Sequence, residues 1–213
     1  MAHELDWDQV QGYAEQLLPA REAELAVMER KAAEGGFPIV GPACGQLCYQ
    51  VARMIGARAI FELGSGFGYS TAWFARAVQE NGGGQVHHVV WDEGLSAQAR
   101  EHLTRMGLAG QVQFHVAEAV QALASAPGPF DLIFNDIDKL GYPQSLPVIE
   151  SKLRKGGVLI IDNMLWHGRV FDGTDHSADT EGVREFTRRI TTDPSWIVSL
   201  VPLRDGMIVA MRG

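Results

Sequence analysis

A regular alternation of short apolar runs and longer helical stretches constrains the fold more than any other feature of this chain. The apolar runs have the length of buried strands and occupy residues 58–63, 86–91, 112–116, 130–135 and 157–161. Stretches of helical length lie between them, at residues 69–80, 95–106, 118–125 and 143–154. Strands that alternate with helices of this length form βαβ units and a mostly parallel sheet. The sequence therefore predicts an α/β fold.

Helical periodicity extends the pattern towards both ends of the chain. Apolar residues at helical spacing predict two helices within residues 6–33, separated near Pro19, and a third helix over residues 42–55. A last helix is predicted at about residues 180–192. These helices flank the predicted strands on both sides in the sequence.

The chain closes on two more apolar runs, at residues 196–201 and 207–211. The link between them is so short that only an antiparallel hairpin can form. Together with the five runs above, they predict a mostly parallel sheet of seven strands that closes on an antiparallel last strand. We expect a single domain over residues 1–213, in which N-terminal helices (1–36) precede the core (37–213).

Composition excludes several classes of protein. A net charge of −8 argues against a nucleic-acid partner or an anionic membrane surface. The two cysteines, Cys44 and Cys48, are four residues apart, which is not a redox or zinc pattern, so they indicate a reduced, cytoplasmic protein. The first ten residues lack a signal peptide, and no apolar run approaches the ~20 residues that span a bilayer.

Oxygen-bearing side chains follow two of the predicted strands directly. Asp136-Ile-Asp-Lys139 comes after one apolar run, and Asp162-Asn163 comes after the run that ends at residue 161. In an open α/β sheet, ligands bind at the carboxyl ends of the strands. Three oxygen ligands from Asp136, Asp162 and Asn163 suit Mg²⁺ or Ca²⁺ better than zinc. Each segment taken alone can also be a turn or a helix cap.

A glycine-rich turn follows the first predicted strand. It contains Gly64, Gly66 and Gly68 and leads into a helix that starts with Tyr69 and Ser70. Glycines let the backbone approach a ligand closely, and the helix start offers free N–H groups to an anion. A dinucleotide fingerprint reads GxGxxG, and here the third glycine of that pattern is missing. The turn therefore favours a ligand with a smaller anion, such as an amino-acid carboxylate.

Taken together, these segments resemble a known family. ELGSGFGYST resembles motif I of class I S-adenosylmethionine-dependent methyltransferases. FDLIFNDIDKLGYP, KLRKGGVLIIDNMLWHGRV and the C-terminal PLRDGMIVAMRG resemble the caffeoyl-CoA/catechol O-methyltransferase family, as does the upstream PIVGPACGQLCYQVARMIGAR. The resemblance covers roughly residues 37–213. It implies a doubly wound, Rossmann-like methyltransferase fold whose seven-stranded sheet has a reversed last strand, and it implies a homodimer.

The resemblance also implies roles for particular residues. A divalent cation would be held by Asp136, Asp162 and Asn163, and Lys139 would be the general base. S-adenosylmethionine would contact a larger set: Val40, Glu62, Gly64, Gly66, Tyr69, Ser70, Asp92, Glu118 and Asp136. Trp166 would line the acceptor pocket and stack on the acceptor ring, with plain packing as its alternative.

Two positions depart from the family pattern and keep alternatives open. Val90 stands where an acid usually binds the ribose, so Asp92 is our candidate, although it can equally cap the next helix. Glu118 stands where the family often has Asp and can accept from the adenine amino group or interact with the helix dipole. Because of Val90, a methyltransferase-like protein with weak or altered cofactor binding is one rival. An NAD(P)-dependent oxidoreductase is the other, disfavoured by the missing glycine.

The implied chemistry is methyl transfer to a small acceptor with vicinal hydroxyls. A phenol has a pKa of about 10 and is a poor nucleophile until it is deprotonated. A divalent cation lowers that pKa, and a lysine beside it takes the proton. The sequence thus predicts metal-dependent O-methylation of a catechol-like or hydroxycinnamoyl acceptor. It leaves open which acceptor is used and whether the cation is Mg²⁺, Ca²⁺ or Mn²⁺.

Overall fold

The computed structural model of the chain describes residues 6–213, and the first five residues of the predicted N-terminal segment lie outside them. The strands are β1 (Ala59–Leu63), β2 (Gln85–Val90), β3 (Val112–Val116), β4 (Phe130–Asn135), β5 (Leu153–Ile161), β6 (Trp196–Val201) and β7 (Met207–Arg212). The α-helices are α1 (Trp7–Gln16), α2 (Ala23–Gly35), α3 (Gly41–Met54), α4 (Tyr69–Glu80), α5 (Glu93–Arg105), α6 (Ala119–Ser125), α7 (Tyr142–Lys152) and α8 (Ala178–Thr192). Short 3₁₀ helices occupy Ala109–Gln111, Lys139–Gly141 and Trp166–Phe171.

All seven strands form one sheet in the order β3-β2-β1-β4-β5-β7-β6. The pairs β1–β2, β1–β4, β2–β3 and β4–β5 are parallel. Strand β7 lies between β5 and β6 and is antiparallel to both. The predicted fold class is confirmed. The strand order reverses at β1, so the carboxyl ends of β1 and β4 flank the crevice where ligands bind in such sheets.

The strands are apolar throughout because helices cover both faces of the sheet. Successive residues of β1 illustrate this: Ile60 packs with α2, α3 and α4, while Phe61 packs with α6, α7 and α8. Both side chains are fully buried. Strands buried on both faces are therefore predicted by continuous apolar runs, and not by the alternation of polar and apolar residues that is typical of a half-exposed sheet.

Strand β5 begins earlier than its apolar pattern predicts. It pairs with β4 from Leu153 onwards, whereas the apolar run begins at residue 157. Its first part is polar because Arg154 donates to Asp131 on β4 at 2.6 Å and Gly156 adopts a φ of +69° at an irregular stretch of the pairing. Because an ion pair and a bulge form the start of β5, that part of the strand has no apolar run from which it could be predicted.

Helix α1 packs on the rest of the fold without burying any of its side chains. Gln11 connects it to the turn between β6 and β7, since Gln11 Nε2 donates to Pro202 O at 3.2 Å and Arg204 N donates to Gln11 Oε1 at 2.7 Å. No helix within residues 6–213 combines the length and apolarity that crossing a membrane requires.

Candidate active site

The carboxyl ends of β1, β4 and β5 open into a cavity of about 1380 Å³. Many residues predicted from the sequence line it: Val40, Gly64, Gly66, Asp136, Lys139, Asp162, Asn163 and Trp166. A smaller cavity of about 510 Å³ adjoins it, shares Gly64 and Asp136, and is lined by Val90, Trp91 and Glu118. The fold therefore brings the two strand-end segments and the glycine turn to one place.

Two carboxylates lie at the ends of neighbouring strands. Asp136 N donates to Leu63 O at the end of β1, and Asp162 N donates to Asn135 O at the end of β4. Burial raises the pKa of Asp162, and the charge of Asp136 raises it further. Burial also raises the pKa of Asp136, although Lys139 opposes that shift. Two partly desolvated acids that repel each other are in an arrangement that a cation stabilises.

Lys139 lies at the start of a 3₁₀ helix with its side chain only 10% exposed. Its Nζ donates to Asp136 Oδ1 at 2.9 Å and to Ile137 O at 3.1 Å. The amine also lies 5.7 Å from the centroid of the Trp166 ring and 5.1 Å from that of Tyr142. These contacts hold the amine on the acid that the sequence predicted as its neighbour.

The segment after β5 runs through a strained turn. Asn163, Trp166 and His167 have φ values of 58°, 47° and 53°, a region that disfavours residues other than glycine. Asp205, in the turn between β6 and β7, holds this segment: its Oδ1 accepts from His167 N at 2.6 Å and its Oδ2 accepts from Asn163 Nδ2 at 3.3 Å. Sequence reasoning missed Asp205, because an Asp-Gly pair between two strands indicates a turn and nothing more.

The glycine turn is tight for two different reasons. Gly64 has a φ of +85°, and a Cβ there would lie 2.5 Å from Asp136 O, so the turn lies directly against the strand-end acid. Gly68 has a φ of +91°, and a Cβ there would lie 2.8 Å from Ala99 Cβ on α5. In a GxGxxG turn the third glycine allows a helix to pack closely on a strand. Here Gly68 allows close packing of a different kind, between helices α4 and α5, and the spacing of the glycines did not reveal this.

Four residues predicted to contact the cofactor are not among those that line the cavities, namely Asp92, which caps α5, and three residues at the glycine turn. Glu62 is fully buried beneath the glycine turn, and burial raises its pKa to about 7. The Tyr69 hydroxyl donates to Glu29 Oε1 at 2.8 Å. Ser70 is buried in the first turn of α4. Their predicted roles as cofactor contacts stay predictions.

Both acids predicted to bind the nucleoside cap helices. Asp92 Oδ1 accepts from Leu95 N at 2.7 Å at the start of α5. Glu118 accepts from Val120 N at 3.0 Å and from Gln121 N at 2.6 Å at the start of α6. Asp92 does not line either cavity, whereas Glu118 lines the smaller one. Asp92 thus makes the cap that was its alternative role, and Glu118 lies at a helix start, as its helix-dipole alternative requires. Cofactor contacts by these acids stay predictions.

Several lining residues carried no signal in the sequence. They come from α1, from the segment before α3, from the end of β2 and from loops on the acceptor side: Trp7, Asp8, Gln11, Glu15, Phe37, Trp91, Phe171, Arg204 and Asp205. These residues reach the cavity because segments that are distant in the chain pack together. Trp7 and Gln11 are four residues apart and so share a face of α1, but this spacing does not indicate a ligand site.

Asn135, at the end of β4, is fully buried. Its Nδ2 donates to Ser145 Oγ at 3.0 Å, and Ser145 Oγ donates to Tyr142 O at 2.8 Å. The Tyr142 hydroxyl donates to Asp162 O at 2.9 Å. This chain of hydrogen bonds connects α7 to the ends of β4 and β5 and keeps the two acids in register.

The residues present fit a divalent cation in their chemistry. Within residues 6–213 no three His, Cys, Asp or Glu side chains are grouped to hold a metal ion. The predicted site instead combines the carboxylates of Asp136 and Asp162 with the amide of Asn163. Two carboxylates and an amide are the oxygen donors that Mg²⁺ and Ca²⁺ prefer.

A family model described as O-methyltransferase matches residues 23–213, nearly the whole chain. The chain belongs to this O-methyltransferase family. The family and the enzyme class predicted from the sequence, an S-adenosylmethionine-dependent O-methyltransferase, are thereby confirmed.

Relatives of this O-methyltransferase match over its whole length. A catechol O-methyltransferase of Niastella koreensis is 31% identical over 216 residues, which cover 96% of this chain and 97% of the relative. The solved O-methyltransferase of Streptomyces achromogenes involved in tomaymycin synthesis, in complex with S-adenosylmethionine, has a TM-score of 0.86 at 28% identity and covers 97% of this chain and 96% of its own. An O-methyltransferase of Bacillus cereus in complex with S-adenosylhomocysteine has the same TM-score and identity, with coverages of 96% and 97%.

Proposed function

We propose that this O-methyltransferase transfers a methyl group from S-adenosylmethionine to a hydroxyl of a small catechol-like or hydroxycinnamoyl acceptor, and that the transfer depends on a divalent cation. One observation carries the proposal. Asp136 and Asp162 follow neighbouring strands, line one cavity and have the Lys139 amine beside them. An acid pair with an adjacent amine is suited to a cation and to proton transfer from the acceptor.

The glycine turn supports the site for the methyl donor. Gly64 and Gly66 line the cavity, and the Phe37 ring packs against Gly66 so closely that a Cβ there would lie 3.0 Å from it. Val40 lines the same cavity. Two structural neighbours were solved with S-adenosylmethionine or S-adenosylhomocysteine. We therefore assign the donor to the part of the cavity beside the glycine turn.

Asp136, Asp162 and Asn163 would hold the cation. When bound, a divalent cation such as Mg²⁺ supplies Lewis acidity that lowers the pKa of an acceptor hydroxyl. Asn163 contributes its side-chain oxygen, since its Nδ2 donates to Asp205. Asp162 Oδ1 accepts from Asn163 N at 2.8 Å, which orients the carboxylate.

Lys139 would take the proton from the acceptor hydroxyl. Its hydrogen bonds to Asp136 Oδ1 at 2.9 Å and to Ile137 O at 3.1 Å hold the nitrogen at the cavity wall, beside the acids to which we assign the cation. General-base catalysis of this kind contributes roughly 10²- to 10⁴-fold.

The acceptor ring would bind against Trp166. Its indole lines the cavity, and Lys139 lies beside it. An aromatic acceptor stacked there would present its hydroxyls to the acid pair, since stacking fixes the plane of the ring. The catechol O-methyltransferase among the relatives supports an acceptor of this class.

Removing the amine tests the base role. We expect Lys139→Ala to lower kcat for catechol methylation by about 10²- to 10⁴-fold and to leave the Kd for S-adenosylhomocysteine nearly unchanged, because the amine acts on the acceptor. Steady-state kinetics and calorimetric titration measure the two quantities. Lys155→Ala, which removes an exposed lysine on β5, is the matched control. A kcat equal to that of the control would exclude Lys139 as the base.

Chelation tests the dependence on a cation. We expect EDTA to abolish methylation of a catechol and added Mg²⁺ to restore it. Full activity in EDTA would contradict the metal-dependent proposal while leaving the family assignment intact.

The capping roles of Asp92 and Glu118 favour one rival, an O-methyltransferase with weak or altered cofactor binding. Calorimetric titration with S-adenosylmethionine separates the two. Binding in the micromolar range supports the proposal, whereas no binding, or binding of NAD instead, would favour the rivals.

We further propose that one domain spans residues 1–213 and that the enzyme is a homodimer. Exposed apolar side chains on α1 support an interface there, with Tyr13 64% and Leu17 67% exposed. Apolar surface of this kind is stabilised when a second chain covers it.

A further inference from the structure

Arg204 adopts an unfavourable backbone conformation beside the cavity. It lies in the turn between β6 and β7 with a φ of 48°, in the left-handed region where glycine is the default residue. A side chain there crowds the backbone, so the conformation is strained for any residue other than glycine. Strained residues of this kind are concentrated at ligand sites, where the surrounding structure holds them in place.

Two distant segments, α1 and residues 39–41, hold the Arg204 side chain and backbone in this position. Arg204 Nη1 donates to Ile39 O at 2.6 Å, and the backbone N donates to Gln11 Oε1 at 2.7 Å. The guanidinium also lies against Gly41 at the start of α3, where any Cβ would overlap it. The strained turn and the glycine both serve to place a guanidinium at the cavity wall.

The guanidinium of Arg204 keeps hydrogen-bond donors that its neighbours do not use. A guanidinium has five N–H donors, and the side-chain contact described above uses one. In the part of the chain from residue 6 onwards, Arg204 forms no ion pair. The adjacent carboxylate, Asp205, is engaged with His167 and Asn163 instead.

Arg204 lines the same cavity as Asp162, Asn163 and Trp166, the residues to which we assign the cation and the acceptor ring. A substituent on an acceptor bound there can therefore reach the guanidinium. A planar guanidinium binds a carboxylate through two parallel hydrogen bonds, and neutral groups cannot match this geometry and charge.

We propose that Arg204 is a specificity-determining residue that binds a carboxylate on the acceptor, so that the preferred acceptors are dihydroxyaromatic acids. The inference rests on the proposed function, because it assumes that the acceptor binds beside Asp162 and Trp166. Asp8 and Glu15 of α1 also line the cavity and would favour a cationic acceptor instead. The test therefore includes an amine.

Matched acceptors give the first test. 3,4-Dihydroxybenzoate, 3,4-dihydroxybenzamide and 3,4-dihydroxybenzylamine differ in the charge of one substituent. We expect kcat/KM for the acid to exceed that for the amide by about 10- to 100-fold, the range for a hydrogen-bonded charge pair. Calorimetric titration of the same compounds in the presence of S-adenosylhomocysteine and Mg²⁺ should give the same order of affinity.

Variants give the second test. Arg204→Gly suits the turn, so we expect an unchanged or higher thermal midpoint together with loss of the preference for the acid, mainly through its KM. Arg188→Gln removes an arginine from the outer face of α8 and should keep the preference, which controls for net charge.

Gly41→Ala would displace the guanidinium and should also reduce the preference. Gly36→Ala is its matched control, because Gly36 has a φ of +62° against +73° for Gly41, yet a Cβ there meets nothing within 4 Å. We expect Gly36→Ala to keep the ratio of acid to amide.

Three outcomes would overturn the inference. Equal activity of the wild-type enzyme towards the acid and the amide, or a preference for the amine, would exclude a carboxylate at Arg204. An equal loss for acid and amide in Arg204→Gly would make Arg204 a purely structural contact. Methylation of none of the three compounds would contradict the proposed function itself, and the inference with it.

Discussion

At the scale of single residues, the least expected feature is a group of hydrogen-bonded polar side chains buried beneath the glycine turn. Thr71 Oγ1 lies 2.5 Å from Glu62 Oε2 and 3.0 Å from His88 Nδ1. Burial raises the pKa of Glu62 to about 7 and lowers that of His88 to about 3. Near neutral pH the histidine is therefore uncharged and the carboxyl group is partly protonated, which avoids a full charge inside the core.

This raised pKa predicts a pH-dependent stability. The folded state holds the Glu62 proton more tightly than the unfolded chain, so its contribution is fully present below pH 4.5 and is lost as the pH rises through 7. We expect the free energy of unfolding of the wild type, relative to Glu62→Gln, to fall by about 2–3 kcal/mol between pH 5 and pH 8. Urea unfolding of both proteins measures it. A difference that does not change with pH would contradict the assignment.

At the scale of elements, the turns that lead into helices and strands decide where the site residues lie. Gly68 and Gly82 have almost the same φ, +91° and +92°, but only Gly68 is packed, with a Cβ 2.8 Å from Ala99 Cβ. Backbone strain and packing can thus be separated within one chain.

We expect Gly82→Ala to cost about 1–2 kcal/mol of stability from backbone strain alone. Gly68→Ala should cost a further 1–3 kcal/mol or so, because α4 and α5 must move apart to admit the methyl group. Urea denaturation gives both values. Equal losses would mean that the contact between α4 and α5 adjusts freely.

The strained turn after β5 depends on Asp205 of the next hairpin. We expect Asp205→Ala to weaken Mg²⁺ binding by about 10- to 100-fold, because Asn163 loses the group that orients it. Asp205→Asn keeps an oxygen for His167 N and should lose less. Calorimetric titration with Mg²⁺ measures both.

Asp193→Ala is a suitable control for these variants, since the Asp193 side chain accepts hydrogen bonds from Ser195 in the turn before β6. An affinity for Mg²⁺ equal to that of this control would show that Asp205 does not support the cation site.

At the scale of the whole molecule, the exposed face of α1 predicts association. We expect the double variant Tyr13→Glu and Leu17→Glu to be monomeric in sedimentation velocity, whereas the wild type sediments as a dimer, because burying two carboxylates in an apolar interface is unfavourable. Met54→Glu is the control, since Met54 is 76% exposed at the end of α3. A wild-type monomer would exclude the homodimer.

The core of the fold was predictable because its signals are local. Each central strand is an apolar run between turn residues, and Pro202-Leu-Arg-Asp-Gly206 is too short for anything but a hairpin. The start of β5 was missed because Arg154 pairs with Asp131 on another strand. The acids Asp136 and Asp162 were predictable as neighbours, since the ends of adjacent parallel strands meet at one edge.

The sequence by itself therefore determined the mostly parallel sheet, the reversed last strand and the acid–lysine pair, because short-range patterns and chain connectivity specify them. Only the tertiary structure decided that Asp205 supports Asn163, that Arg204 reaches the cavity past Gly41, and that Asp92 and Glu118 cap helices. The contacts of Asp205 and Arg204 join segments far apart in the chain. The caps of Asp92 and Glu118 are local, but they use backbone N–H groups that nearly every residue carries. No pattern of residue types distinguishes them before the chain is folded.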